Sequence, residues 1–380
     1  MSESESGVAL RGRAHAFVGL LALLGLVSQA HAADDREARI DALVIATMRD
    51  GRIPGLAVGV VSHGATVLAK GYGYANLEHE VPVTPETIFQ SGSVGKQFTA
   101  AAVMMQVEAG KLDLDAPLSR YLPDAPATWQ GIHVRHLLTH TSGIPDYTDE
   151  HVDLRRDYTE DELLRVAYTL PLDFAPGAQW RYSNTGYLVL GALIRKVSGQ
   201  FYGDVLHDRV FVPLGMKTAR VISEADIVPH RAAGYRLENG EIKNQEWVAP
   251  TINTTADGAL YLSLRDMLAW NKGLETSALL RPESWSRIYT PVTLNDGSKY
   301  PYGFGWGVTQ VAGAPNYSHS GSWQGFRTYI TRYLASDTTV IVLANMAAID
   351  DDDNRPEDLA RAIALAVDPT LVVPPEPKEE

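Results

Sequence analysis

Three short segments carry residue types at spacings that could support nucleophilic attack on a carbonyl. The first is Ser93-Val94-Gly95-Lys96, which follows the extended stretch Thr87-Ile88-Phe89-Gln90 and opens an apolar segment. Residues three apart share one face of a first helical turn, so the lysine amine can approach the serine hydroxyl. The same helix end leaves backbone N–H groups unpaired beside any oxyanion that attack would create. Lysine accepts the serine proton only if its pKa falls well below about 10.4, so burial or a proton-sharing neighbour is expected. A bare S-x-x-K also arises by chance as a capping serine followed by a surface lysine. The other two segments therefore carry the decision.

The second segment is Tyr182-Ser183-Asn184, just before an apolar helical stretch. A tyrosine near Lys96 could pass a proton between Ser93 and the leaving group. The Asn184 amide could hydrogen-bond both the substrate and Lys96. Standing alone, the segment would be read as a capping asparagine and a packed tyrosine. The third is Tyr317-Ser318-His319-Ser320-Gly321-Ser322-Trp323, a strand whose small residues would let a substrate backbone lie alongside as an added strand, with Gly321 avoiding a clash. The Ser322 N–H could then join the Ser93 N–H as the second oxyanion donor.

Positioning these segments requires a sheet and helices. Ile40, Leu43, Val44 and Met48 recur at helical spacing, and residues 55–61 and 66–72 read as a hairpin. A buried helix is expected from about Ser93 to Glu108, with further helices over 159–170, 185–197 and 202–211. Strands return over 305–311, 317–323, 326–333 and 338–345, and a last helix over 356–367. Strands at both ends with helices between imply an α/β (α+β) fold: an antiparallel sheet formed by both chain ends and flanked by helices, with an inserted, mostly helical lobe. The expected sheet lobe covers about 36–90 and 300–368, the helical lobe about 93–290, and the site lies in the cleft between them.

The three segments in this order resemble the serine β-lactamase and penicillin-binding-protein superfamily, in its class C, esterase and D-aminopeptidase branch. Leu137-Leu138-Thr139-His140-Thr141-Ser142-Gly143-Ile144, Pro213-Leu214-Gly215-Met216 and Gly258-Ala259-Leu260-Tyr261-Leu262-Ser263 are similar to other segments of that family, so the likeness covers most of residues 36–368. It implies a β-lactamase-like fold with Ser93 as nucleophile, Lys96 as activating base, and Tyr182 and Asn184 as the second motif. His319 opens the strand motif where the antibiotic-destroying members have lysine. An imidazole with an ordinary pKa of about 6.5 supplies that charge only partially at neutral pH. The departure favours the broader ester and peptide hydrolases.

Composition removes several other classes. The 380 residues carry a net charge of −13 with no long basic run, so nucleic acid is not an expected partner. The chain has no cysteine, which excludes disulfides and thiol catalysis. Arg11 and Arg13, the apolar run Ala16 to Val27 and Ala30-His31-Ala32 read as a signal peptide over 1–32, which predicts an exported, periplasmic or secreted protein with no transmembrane anchor after cleavage. The run is too short for a bilayer, which needs about 20 residues. Residues from Pro374, within the segment 371–380, read as a disordered tail.

His133, His136 and His140 could share a helix face, and Asp350 to Asp353 form an acidic run, but neither has the spacing of a known metal motif. No metal and no cofactor are expected. Trp180, Tyr187, Tyr302, Phe304, Trp306 and Trp323 are candidates for an apolar acyl pocket, although core packing is the ordinary use of such residues. The expected function is hydrolysis of a small ester, amide or peptide, from the cell wall among other sources, through a Ser93 acyl-enzyme with a Lys96/Tyr182 relay. The expected substrate-binding residues are Asn184, His319, Gly321 and Ser322. The alternatives are a DD-carboxypeptidase or weak class C-like β-lactamase and, from another class, a non-catalytic wall-peptide-binding protein.

Overall fold

In the strand Gly55–Ser62, Leu56, Val58 and Val60 alternate with Ala57, Gly59 and Val61, and a period of two sends the two sets to opposite faces. The computed structural model describes residues 35–149, 151–349 and 353–371, and both faces of this strand are covered. Leu56, Val58 and Val60 pack with Ile40 and Val44 from a helix over 35–51 and with Leu359 and Ile363 from the helix Arg355–Val367. Ala57 faces the other core, with Phe98, Leu264, Met267, Ile330, Ile341 and Leu343. A strand buried on both sides has no polar face to show, which explains its nearly continuous apolar run.

The sheet has seven strands in the order Gly307–Val311, Ala314–Trp323, Phe326–Tyr333, Thr338–Ala344, Gly55–Ser62, Ala65–Asn76 and Val81–Pro82, and every pairing is antiparallel. Leu56 to Ser62 pair with Ala344 to Thr338, so the two ends of the described chain meet at mid-sheet. The expected antiparallel sheet, formed by both chain ends and flanked by helices, is present.

Two details differ from expectation. Ile88–Gln90 leaves the large sheet and pairs with Leu260–Ser263, which also pairs with Arg220–Val221, forming a small sheet beneath the Ser93 turn. The middle of the chain also contains the hairpin Tyr235–Glu238 and Glu241–Asn244. Its turn is Asn239-Gly240, both at positive φ, a combination that suits a tight two-residue turn and was readable in the sequence. The proposed signal peptide and the end of the tail lie outside the described residues.

Candidate active site

Ser93 sits in a 3-10 turn, Gly92–Gly95, that runs directly into the helix Lys96–Glu108. The helix is apolar on nearly every side, from Phe98 and Ala100 to Met104, and passes through the middle of the larger core. Lys96 is therefore completely buried at its first turn. Burial pushes the Lys96 pKa down to about 8, against the opposing pull of the Asp257 and Asp146 carboxylates.

The Lys96 amine makes three contacts: Ser93 Oγ at 3.0 Å, Asn184 Oδ1 at 2.7 Å and the Asp257 carbonyl oxygen at 2.5 Å. A charged amine satisfies all three as a donor. Once neutral, it has two N–H donors and one lone pair. The amide oxygen and the carbonyl can only accept, so they take both donors, and the lone pair faces Ser93 Oγ. The geometry thus aims the base at the hydroxyl it would deprotonate.

Asn184 and Tyr182 are delivered by the start of the helix Asn184–Ser198, where the Ser183 hydroxyl caps the chain by accepting from the Gly186 N–H. The Asn184 N–H donates to Asp146 Oδ2 at 2.6 Å, which orients the amide toward Lys96. The Tyr182 ring lies 4.8 Å from the Lys96 nitrogen. Its buried hydroxyl has no hydrogen bond of ordinary geometry. Burial drives the Tyr182 pKa far up, with the nearby Ser93 hydroxyl acting weakly the other way. Tyr182 therefore carries its proton at neutral pH.

The strand Ala314–Trp323 pairs with Gly307–Val311 only over residues 314–318. Residues 319–323 therefore have an open edge on that side, beside Ser93. Ser322 and Trp323 line the cleft with Ser93 and Asn184. Gly321 is required for a reason different from the expected one. A Cβ there would meet the Ser91 carbonyl oxygen at 2.2 Å and the Ser93 nitrogen at 3.0 Å, so the clash is with the turn that carries Ser93. Gly92, at φ +50°, would likewise meet the Ser322 nitrogen at 2.7 Å. These two glycines bring the Ser93 and Ser322 backbones together, as a paired oxyanion site requires.

His319 is not the partly charged group expected from the sequence. It is buried, and burial pushes its pKa down to about 4. Its ring belongs to a chain of hydrogen bonds. The Ser183 N–H donates to His140 Nδ1 at 3.1 Å, which leaves the His140 proton on Nε2. Burial also holds His140 well below its ordinary pKa, so the ring is neutral. His140 Nε2 lies 3.1 Å from the Tyr302 hydroxyl, which lies 2.8 Å from His319 Nε2. His319 Nδ1 is 2.6 Å from the Ser320 carbonyl. One assignment satisfies every member: His140 donates to Tyr302, Tyr302 to His319, and His319 to Ser320.

Sequence reasoning assigned no role to His140 beyond a weak metal possibility and placed Tyr302 among pocket aromatics. Its local signal was the His-Thr-Ser-Gly run. His140 holds a left-handed backbone at φ +56° and stacks on Tyr182 with ring centres 4.2 Å apart. Its two companions lie elsewhere, their rings stacked 5.2 Å apart. Of the expected aromatic lining, only Trp323 faces the cleft. Tyr187 and Trp306 are core residues, and Trp180 stacks on Tyr300. The cleft is also lined by Tyr147, Ile252, Asn253, Thr255, Asp257 and Ala259. Asp257 and Tyr147 were not foreseen.

Known proteins resemble this chain over most of its length. The Beta-lactamase family model matches residues 40–365. A penicillin-binding protein of Bacillus subtilis (strain 168) is 32% identical over 294 residues, covering 72% of this chain and 64% of the relative. The D-aminopeptidase of Gluconobacter oxydans (strain 621H) is 30% identical over 322 residues, covering 82% of this chain and 59% of the relative. The chain thus spans about 60% of the length of these two relatives. The octameric penicillin-binding protein homologue from Pyrococcus abyssi superposes with a TM-score of 0.74 at 30% identity, covering 87% of this chain and 76% of that one. With the family match spanning nearly the whole described fold, including all three motif segments, this chain belongs to the Beta-lactamase family.

Proposed function

We propose that the protein is a serine hydrolase that cleaves an ester or amide bond through an acyl-enzyme on Ser93. The observation that carries the proposal is the threefold contact of the buried Lys96 amine, which points its lone pair at Ser93 Oγ once it is neutral. Ser93 Oγ bonds to the substrate carbonyl carbon as its proton passes to Lys96, and the carbonyl oxygen becomes an oxyanion facing the Ser93 and Ser322 N–H groups. The bond to the leaving group then breaks as Tyr182 donates a proton to it. Lys96 returns its proton to Tyr182. Water attacks the ester on Ser93 by the same steps, releasing the acid and restoring the hydroxyl.

The substrate class is a small ester, amide or peptide, in keeping with an open strand edge and a narrow cleft. The similarity to penicillin-binding proteins keeps wall peptides and β-lactams as a second class. A neutral His319 and a cleft whose described lining holds no basic side chain weigh against recognition of a substrate carboxylate. Export is proposed from residues 1–32, and no helix among the described residues is long and apolar enough to cross a membrane.

The test is intact-protein mass spectrometry of the protein and of Ser93→Ala after brief exposure to a p-nitrophenyl ester, an amino-acid amide and a penicillin. An adduct that requires Ser93 is expected. Absence of both adduct and turnover with all three compounds would reject catalysis in favour of a binding role.

A further inference from the structure

Trp323 is the last residue of the strand Ala314–Trp323, next to Ser322, and it lines the cleft. Its ring packs against the cluster of Tyr147, Leu163, Leu188, Ala249 and Ile252. Its indole N–H donates to Asn253 Oδ1 at 2.5 Å. Asn253 is buried, and its Nδ2 donates to Glu224 Oε2 at 2.8 Å and to Gln324 Oε1 at 3.2 Å. An indole can only donate and an ionised carboxylate can only accept, so this amide fits in one orientation, with Oδ1 toward Trp323 and Nδ2 toward Glu224. Glu224 is half-buried, in the turn after the strand Arg220–Val221. Its other oxygen, Oε1, accepts from Gln245 Nε2 at 2.8 Å, and its main-chain carbonyl accepts from Arg231 at 3.1 Å. Burial raises its pKa, opposed by Arg231 and by hydrogen bonds from Gln245, Asn253 and Gln324. Withdrawing a carboxylate from water is costly, and none of the hydrolytic steps uses this one.

We propose that Glu224 is a positioning residue which, through Asn253, holds the Trp323 indole as a fixed wall of the cleft and so limits the acyl groups that can lie beside Ser93. This rests on the hydrolase reading, with Ser93 as the nucleophile. Tyr182, which that reading places at the leaving group, is not among the residues lining the cleft, so the cleft takes the acyl part. An indole packed on a cluster and tied at its nitrogen keeps one rotamer. Released from Asn253, the ring can swing and admit a longer chain.

The test measures kcat/KM for p-nitrophenyl octanoate relative to p-nitrophenyl acetate, together with the 1H–15N resonance of the Trp323 indole, identified by its absence in Trp323→Phe. Glu224→Ala is expected to raise the octanoate-to-acetate ratio by about tenfold, the scale of discrimination by shape in an apolar pocket, and to shift the indole resonance. Glu224→Gln should restore both readings. The new amide oxygen accepts from Asn253, and its nitrogen donates to Gln245 Oε1, a buried atom that has no partner at present, once the Gln245 amide turns over. In a Trp323→Ala background, Glu224→Ala should change the ratio no further, because a residue acting through another is non-additive with it. Trp323→Phe keeps an aromatic ring, removes the N–H and leaves Glu224 untouched, so it should raise the ratio even if Glu224→Ala does not fold. An unchanged ratio in Glu224→Ala or Trp323→Phe, or a full further change in the Trp323→Ala background, would overturn the positioning role. Ester hydrolysis with an unchanged ratio ends this proposal alone, whereas no hydrolysis of either ester by the unaltered protein ends the hydrolase reading with it.

Discussion

Lys96 Nζ stands 3.0 Å from Ser93 Oγ at the junction of a 3-10 turn and an α-helix, and its other two hydrogen bonds end on the Asn184 side chain and the Asp257 main chain. The amine therefore has one partner with a proton to give and two that can only accept.

Acylation should report the Lys96 titration. With its pKa near 8, the neutral base is a minor species at pH 7, and the acylation rate should rise with pH and level off above about 8. Stopped-flow acylation by a p-nitrophenyl ester checks this. A rate that is flat from pH 6 to 9 would remove Lys96 as the base.

Lys96→Ala and Tyr182→Phe should each cost on the order of a thousandfold or more in kcat, and the double variant should cost little beyond the worse single one, because groups acting as a unit are non-additive. Additive losses in kcat would show two independent roles.

Tyr302→Phe removes the middle of the chain that joins His140 to His319 while leaving the aromatic packing in place. His319 Nε2 loses its donor and His140 Nε2 its acceptor, so a buried polar atom on each ring is left without a partner. The expected result is a loss of about tenfold or more in kcat, with altered 15N chemical shifts for both imidazoles. Unchanged shifts and rate would mean the chain does not hold the site.

Gly321→Ala should strongly impair both stability and activity, since the added carbon would fall 2.2 Å from the Ser91 carbonyl oxygen, a main-chain atom that cannot move aside. Thermal unfolding measures the first effect and ester turnover the second. A variant with the parental Tm and turnover would contradict the close approach of the strand to the Ser93 turn.

Acid should destabilise the fold through the buried His319 and the half-buried His136. His136 and His319 are held near pKa 4, below the value of about 6.5 for an exposed ring, so the unfolded chain binds more protons between these limits. Their stabilisation is complete above about pH 6.5 and lost as pH falls toward 4, at up to about 1.4 kcal/mol per pH unit for each ring. Urea unfolding at pH 4.5 and 7 checks the direction, and His319→Gln should flatten the difference.

The residues that the proposed function places at the reacting bond can be named from the chain alone. Ser93 and Lys96 are three apart, Tyr182 and Asn184 flank a helix cap, and Gly321 and Ser322 share a strand, so local geometry already orients each pair. The nearly continuous apolar strands at both ends likewise predict the sheet, because burial on both faces leaves a local apolar signature. What surrounds those residues depended on contacts across long stretches of sequence. His140, Tyr302 and His319 meet only after the helical region and the last strands have packed, and Asp257 reaches the cleft only because Gly258 lies against Gly92. Whether an imidazole is charged or a carboxylate is paired is set by burial and by neighbours distant in sequence, and these exist only in the tertiary fold.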